Sequence, residues 1–244
     1  MNGALQARLR IDRGAFVLDV SLDVPAGRVV ALMGRNGAGK STAVSAIAGL
    51  LPLDGGRVAV DGVAFEDVGA RLSVQPERRP IGVVQQQAAL FPHLSVRDNV
   101  AFGLRTRGLR RRAARQEADR LLAEAGLDGF AGRRPSALSG GQAARVALVR
   151  TLAREPALVL LDEPLAAIDA ELRPALRAAI RERLATFAGS ALLVTHDVRD
   201  AEALAEEVVV IDAGRVVQRG TLAALRSAPA APIVATLLDA AAPA

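Results

Sequence analysis

Short runs of apolar residues alternate with longer amphipathic stretches along the 244-residue chain. The runs that favour buried strands are rich in Val, Leu and Ile and are bounded by turn residues. They are RVVALM (28–33), GGRVAVDG (55–62), IGVVQQ (81–86), ALVLLDEP (157–164) and ALLVTH (191–196). The stretch EEVVVIDAGRVVQRG (206–220) predicts a closing hairpin.

Helical spacing dominates the segments between these strands. TAVSAIAGLL (42–51) follows the first strand, and residues 96–155 include RRAARQEADRLLAEAG (111–126) and GQAARVALVRTLARE (141–155). We expect the last helix to stop at Glu155, because a proline disfavours the helical conformation in the residue before it.

The alternation of strands and helices predicts an α/β fold with a mainly parallel sheet. The helical segment at about 87–155 predicts a subdomain inserted into a main domain that spans residues 1–227. The Ala/Pro-rich tail, residues 228–244, is expected to be only partly ordered.

Composition narrows the class of protein. At 244 residues, 51% of them hydrophobic, the chain can bury one large core. It has no cysteine, which excludes disulfides and thiolate metal sites and suits a reducing compartment. The N-terminus lacks an apolar signal segment, and no apolar run approaches the roughly 20 residues of a spanning helix. We therefore expect a soluble protein that acts at a membrane only through a partner.

The net charge of +5 raises nucleic-acid binding as an alternative. Against it, aromatic residues make up 2% of the chain, with no Trp or Tyr to stack on bases. The arginines at 105–115 are followed by acidic residues at 117, 119 and 124, a pattern typical of a solvated helical face. We expect no nucleic-acid partner.

The segment GRNGAGKST lies between a predicted strand and a predicted helix. It fits G-x-x-x-x-G-K-[ST], which in this context binds nucleotide phosphates through loop amides and the helix N-terminus. Lys40 is the only lysine among 31 Lys plus Arg, and a compact ammonium reaches the β- and γ-phosphates where a planar guanidinium does not fit. Ser41 is expected to ligate Mg²⁺. The predicted phosphate site is Gly34, Asn36, Gly37, Ala38, Gly39, Lys40, Ser41 and Thr42.

A second motif, LVLLDE (158–163), ends one of the predicted strands. It delivers two carboxylates to the carboxyl end of the strand, the edge where open α/β sheets bind ligands. Asp162 can hold Mg²⁺, and Glu163 can polarise the water that attacks the γ-phosphate.

The motif LSGGQ opens the helix that precedes this strand. The Ser139 hydroxyl and the amides of Gly140 and Gly141 can form a second anion site at a helix start. In isolation the motif is an ordinary helix cap. Between a phosphate loop and LVLLDE it is diagnostic, and Gln142 completes it.

In this order of motifs the chain resembles the ATP-binding subunits of ABC transporters over residues 3–226. The resemblance implies a P-loop NTPase (RecA-like) core, an N-terminal antiparallel β-subdomain, and the ligands ATP and Mg²⁺. It also implies a head-to-tail homodimer in which each ATP contacts Gly34–Thr42 of one chain and Ser139–Gln142 of the other. The dimer would bind transmembrane permease subunits at the cytoplasmic face of the membrane and, indirectly, a periplasmic or extracellular solute-binding protein.

The resemblance further assigns single residues. Gln86 looks like the glutamine that contacts Mg²⁺ and the attacking water, and Asp169 looks like the aspartate that links the two sites. His196 looks like the switch histidine, within reach of the γ-phosphate and Glu163. Phe16 either stacks on adenine, in place of the more common tyrosine, or belongs to the core.

Two segments, SVRDNVAFGLR and VVVIDAGRVVQRGT, look like those of importers for small polar solutes. The wording of RGAFVLDVSLDVPAG and LLPLDGGRV is most similar to molybdate importer ATPases. Importers of polyamines, sulfate and ferric iron share the layout and stay open as alternatives. Molybdate importer ATPases usually carry a C-terminal regulatory domain that binds the oxyanion. Only about eighteen residues follow Arg226 here, too few for such a domain, so we expect this chain to lack feedback control by the oxyanion. A non-transport ABC ATPase and a small-molecule phosphotransferase are the other classes considered.

Overall fold

The computed structural model describes residues 4–166 and 168–239. The strands in chain order are β1 (Leu5–Asp12), β2 (Val17–Val24), β3 (Val29–Met33), β4 (Gly55–Val60), β5 (Val63–Asp67), β6 (Leu72–Ser73), β7 (Ile81–Val84), β8 (Leu158–Asp162), β9 (Ser190–Val194), β10 (Glu207–Asp212) and β11 (Arg215–Gly220). The helices are α1 (Lys40–Ala48), α2 (Val96–Thr106), α3 (Arg111–Glu124), α4 (Gly140–Leu152), α5 (Arg173–Ala185), α6 (Val198–Leu204), α7 (Leu222–Ser227) and α8 (Pro232–Asp239).

The chain divides into two compact units. The first contains the described residues of 1–81, 157–163 and 188–244, and the second contains those of 82–156 and 164–187. The second unit therefore includes α5 as well as the helical segment that the sequence predicted to be inserted. Among the described residues, no helix combines the length and apolar composition that crossing a bilayer requires.

An antiparallel sheet in the first unit has the strand order β2-β1-β4-β5-β6. Along β1 buried and exposed residues alternate strictly, as expected for a sheet with one face on the core. This sheet confirms the predicted N-terminal antiparallel β-subdomain.

The other sheet contributes the strands β11-β10-β3-β9-β8, in that order, to the first unit. Its strands β10, β3, β9 and β8 are parallel, and β11 pairs antiparallel with β10 as the predicted hairpin. All five residues of β9 and the first four of β8 are buried, the pattern of a parallel sheet covered on both faces. Because Leu32 and Asp162 both pair with Val194, three strands end together at one carboxyl edge. The α/β fold with a parallel core is thus confirmed.

The core of the second unit lies between α2, α3 and α4. Its buried residues are Val96, Val100, Ala101, Leu104, Ala114, Ala118, Leu122, Leu127, Ala131, Val146, Val149 and Ala153. The i, i+3, i+4 spacing of these residues is the pattern from which the helices were predicted.

Two predictions about helix ends were wrong. Helix α1 ends at Ala48 rather than residue 51, because Gly49 adopts a left-handed φ of 81° and caps it. Helix α4 ends at Leu152 rather than at Glu155, which itself has a φ of 49°. The sequence analysis did not identify α8 in the tail, whose Val234 and Leu238 are buried against residues of β3 and β10. Residues 240–244 lie outside the described part of the chain.

Candidate functional site

The phosphate loop connects the end of β3 to the start of α1 at the carboxyl edge of the parallel sheet. Gly37 and Gly39 have φ angles of 81° and 106°, a region that residues with a side chain rarely adopt. A Cβ atom on Gly34 would lie 2.3 Å from the carbonyl oxygen of Ile211. The loop conformation therefore requires glycine at all three positions.

Lys40 is buried within this loop. Its Nζ donates hydrogen bonds to the carbonyl oxygens of Gly34, at 2.8 Å, and Arg35, at 3.0 Å. Burial lowers the pKa of Lys40, and the negative charges of Glu163 and Asp162 partly oppose that shift. The ammonium thus lies beside both carboxylates of the second motif.

The start of α1 is open to an anion. Its N-cap is Gly39, which offers no side-chain hydrogen bond, and its first turn carries no acidic residue. The amide groups of a first helical turn have no partner within the helix, and the helix dipole favours negative charge there. This geometry fits a phosphate group.

Asp162, at the end of β8, has the features of a Mg²⁺ ligand. Burial and the neighbouring charge of Glu163 raise its pKa, whereas a hydrogen bond from Ser41 and the charge of Lys40 act in the opposite direction. Its Oδ1 atom is buried, and no hydrogen-bond partner reaches it in the part of the chain that the structure describes. A carboxylate with a free oxygen beside a serine hydroxyl is a donor set that fits Mg²⁺.

Glu163 and His196 lie side by side at the same edge. The distance from His196 Nδ1 to Glu163 Oε1 is 3.3 Å. The carboxylate side chain is 19% exposed and the imidazole is 52% exposed. A largely buried carboxylate supported by an imidazole can accept a proton from water.

The backbone at Glu163 is strained. Its φ of 47° lies in the left-handed region, which costs a residue with a side chain about 1–2 kcal/mol. The Glu163 amide donates to the Val194 carbonyl at 3.0 Å, so it continues the pairing of β8 with β9 beyond the end of the strand. This hydrogen bond holds the residue in that conformation.

The turn that carries His196 is held by polar residues that the sequence analysis did not identify. The Thr195 hydroxyl accepts a hydrogen bond from the Asp197 amide at 3.0 Å and lies 3.4 Å from Asp200 Oδ2. Both Thr195 and Asp200 are buried. The sequence did contain one signal for these two residues, since they are polar and lie close to the end of an apolar strand.

A second buried polar group was also missed. Arg79 and Glu66 form an ion pair of 2.6 Å in the first unit, with side chains only 1% and 5% exposed. Nothing in the local sequence distinguishes them from surface residues.

Phe16 lies beside the phosphate loop. The tip of its ring is 2.9 Å from the position that a Cβ atom on Gly39 would take. Phe16 is partly exposed, whereas Leu18, which approaches the same position, is fully buried.

The remaining predicted site residues belong to the second unit. Gln86 is exposed and lies two positions beyond the end of β7. Ser139 is the N-cap of α4 and forms a capping box with Gln142: its hydroxyl accepts from the Gln142 amide at 3.3 Å, and its own amide donates to Gln142 Oε1 at 3.0 Å. Asp169 is exposed, and its carbonyl accepts from the amide of Leu172 at 3.0 Å.

A strand, a glycine loop with a buried lysine, a helix start without a cap, and two carboxylates on a neighbouring strand define a P-loop ATPase site. The sequence pattern of the ABC transporter family matches residues 17–166, and the chain belongs to that family. ATP-binding subunits of ABC transporters are ATPases coupled to transport, which confirms the class of enzyme inferred from the motifs.

Two curated relatives carry names of importers. The chain is 42% identical over 232 residues to a sulfate/thiosulfate import ATP-binding protein CysA of Nocardia farcinica, covering 95% of this chain and 68% of that protein. It is 43% identical over 216 residues to a molybdenum import ATP-binding protein ModC of Mycobacterium tuberculosis, covering 87% of this chain and 58% of that protein. The chain thus spans about two thirds or less of the length of these relatives.

A solved structure shares the fold. CbiO1 of Clostridium perfringens, described as part of the ABC transporter complex CbiONQ, superposes with a TM-score of 0.79 at 26% identity. The match covers 93% of this chain and 92% of the other.

Proposed function

We propose that this chain hydrolyses ATP to power import of a tetrahedral oxyanion through separate permease subunits at the cytoplasmic face of the membrane. Molybdate is the solute we propose first, and sulfate is the alternative. The observation that carries the oxyanion class is the pair of relatives at 42% and 43% identity, whose names specify sulfate/thiosulfate and molybdenum import. A solute-binding protein outside the membrane would deliver the anion.

The proposed hydrolysis is performed by groups of the first unit. The loop amides and Lys40 bind the β- and γ-phosphates. Glu163 accepts the proton of the attacking water, and His196, 3.3 Å away, holds that carboxylate in place and contacts the γ-phosphate. Bound by Ser41 and Asp162, Mg²⁺ would neutralise charge on the phosphate oxygens.

The proposed homodimer supplies a second set of contacts to each ATP. The Ser139 oxygen accepts a hydrogen bond within its own chain, so its hydroxyl proton is still available for a phosphate oxygen. The amides of Gly140 and Gly141 begin α4, where a helix dipole favours an anion. Gln142 fixes the serine, and Asp169 would link the two sites.

The proposed permease contact lies between Gln86 and Arg105. Phe102 is 46% exposed, and its ring lies 4.9 Å from that of Phe91. The fully buried Asn99 accepts a hydrogen bond from the Phe91 amide at 2.8 Å and donates to the Phe91 carbonyl at 3.1 Å. An exposed phenylalanine packed on a partly buried one, in a segment held by Asn99, favours a docking role.

Phe16 is proposed to stack on adenine. Its partly exposed ring beside Gly39 supports this interpretation over a role in the core alone.

The test of the solute uses a strain from which the gene is deleted, grown with limiting trace elements. Elemental content is measured by mass spectrometry and compared with strains that carry the parental gene or its Glu163→Gln form. We expect a selective loss of molybdenum that only the parental gene restores. A loss of sulfur instead would identify sulfate, whereas lowered iron or unchanged elements would contradict the oxyanion proposal.

A further inference from the structure

The carboxyl end of α1 is held by a buried arginine in addition to its backbone cap, in which the Gly49 amide donates to the carbonyl oxygens of Ala46 and Ser45. Carbonyl groups in the last turn of a helix have no partner within it. Arg79 Nη1 donates to two of them, Ala46 O at 3.3 Å and Ile47 O at 3.0 Å. A positive charge at this end also complements the helix dipole.

The same guanidinium is tied to the antiparallel sheet region. Its Nη2 lies 2.6 Å from Glu66 Oε2, on β5, and its Nε donates to the Val74 carbonyl at 2.9 Å. The other oxygen of Glu66 accepts from the Leu53 amide at 3.0 Å. All three guanidinium nitrogens and both carboxylate oxygens therefore have protein partners.

The chain leaves room for this group at Gly49. That residue has a φ of 81°, and a Cβ atom there would lie 2.5 Å from the guanidinium carbon of Arg79. Any side chain at this position would displace the arginine. Gly49 thus serves both as the cap of α1 and as the wall against which Arg79 packs.

Stability alone does not explain a buried pair of this kind. Replacing a buried ion pair by neutral or apolar residues of similar size is often neutral or stabilising. What the planar fork of arginine provides is a fixed geometry among several partners. The elements fixed here are α1, β5 and the segment that contains Val74.

We propose that Arg79 is a positioning residue for ATP binding. It sets the axial position of α1, a helix of nine residues and therefore about 13 Å long. Lys40 and the open amides lie at the other end of this short helix, so a shift at the carboxyl end moves the phosphate site by a similar distance. Because the phosphate would be bound by Lys40 and several amides at once, such a shift lengthens several hydrogen bonds together and weakens binding. The inference concerns ATP binding and is independent of the transported solute.

The test compares Arg79→Met/Glu66→Gln with the parent. The double change avoids leaving one charge buried alone, and the side-chain oxygen of the introduced glutamine can still accept from the Leu53 amide. We expect the Kd for a non-hydrolysable ATP analogue and the KM for ATP to rise about tenfold, with kcat at saturating ATP within about threefold. The melting temperature without nucleotide should stay within about 3 °C of the parental value.

Two further variants make the result decisive. Arg79→Lys keeps the charge but cannot reach all four acceptors, and we expect an intermediate Kd. The matched control is Arg219→Met/Glu207→Gln, which removes a pair of 2.7 Å between β11 and β10, away from α1, and should leave the Kd unchanged.

A folded double variant with the parental Kd would overturn the proposal. If the double variant does not fold, the Kd of Arg79→Lys decides in the same way. Failure of both proteins to fold would assign Arg79 a structural role only and would also overturn the proposal.

Discussion

Two helix starts in this protein are proposed to bind phosphate, and they are built in opposite ways. Helix α1 begins at a glycine with a φ of 106° and has no side-chain cap. Helix α4 begins at Ser139, whose side chain and that of Gln142 form a complete capping box. The first start has no side-chain cap for its amides, whereas the capping box of the second satisfies the amides of Ser139 and Gln142.

The difference corresponds to the proposed roles. An open helix start depends on neighbouring groups, and around α1 these are a buried lysine, a carboxylate with an unpartnered oxygen, and the strained backbone of Glu163. A capped start is stable without a ligand, as required of a segment that would contact ATP only when a second chain arrives. Chemistry is thus concentrated where the local structure is least relaxed.

The largest expected effect comes from substitutions that remove catalysis or ATP binding at the start of α1. Glu163→Gln keeps the shape of the side chain but cannot accept a proton, so phosphate release should fall by about 10³-fold while ATP binding persists. Lys40→Ala should instead lose ATP binding, because the compact charge beside the loop is removed. Phosphate release and nucleotide affinity are measured on each protein. Hydrolysis by Glu163→Gln at the parental rate would show that Glu163 is not the base.

A smaller effect separates capping from phosphate contact at the second start. Ser139→Asp keeps an excellent N-cap but places a carboxylate where a phosphate is proposed to bind, so ATPase activity should fall more than about tenfold at an unchanged melting temperature. Ser139→Ala loses the cap, about 1 kcal/mol, and should lower the melting temperature by about 2–4 °C.

The two serine variants are compared by thermal unfolding and by steady-state ATPase assays. Parental activity in Ser139→Asp would mean that α4 does not contact ATP and that Ser139 is only a cap.

The features that the sequence predicted well each depend on a few neighbouring residues. The phosphate loop and LVLLDE are recognisable because glycine, lysine and carboxylate spacing follows directly from the geometry of a strand end and a helix start. The strands of the parallel sheet were located because they are continuous apolar runs of the type that such a sheet buries.

What the sequence did not predict depends on packing between distant segments. The pairing of Arg79 with Glu66 joins residues 13 positions apart and has no local signal. Helix α8 is stabilised by the burial of Val234 and Leu238 against residues of β3 and β10. This packing outweighs the unfavourable Ala/Pro-rich composition of the tail. The end of α1 was misplaced for another reason: Gly49 was a visible stop signal, but Leu50 and Leu51 extended the apolar pattern beyond it.

The smallest expected effect concerns the stability that the protein loses by burying the carboxylate of Asp162, the proposed Mg²⁺ ligand. The pKa of Asp162 is raised from 3.8 in the folded protein, so the folded state binds the extra proton more tightly than the unfolded chain. Between that value and the raised pKa, stability therefore falls as pH rises, and the full penalty is present above the raised pKa. Asp162→Asn carries no such charge, can still accept the Ser41 hydrogen bond, and should raise the melting temperature without Mg²⁺ by about 2 °C at pH 7.5.

The pH dependence of this difference identifies its origin. The gain in melting temperature should shrink as pH is lowered from the raised pKa to below 3.8, where Asp162 of the parent becomes protonated in both states. Adding Mg²⁺ with nucleotide should reverse the order, because an anionic carboxylate ligates the metal more strongly than a neutral amide does. A gain that is independent of pH would mean that packing, and not the buried charge, limits stability at this edge of the sheet. An Asp162→Asn protein less stable than the parent at every pH would show that Lys40 and Ser41 more than compensate for burial of the carboxylate. In that case the uncapped start of α1 would be closer in stability to the capped start of α4 than the comparison above implies.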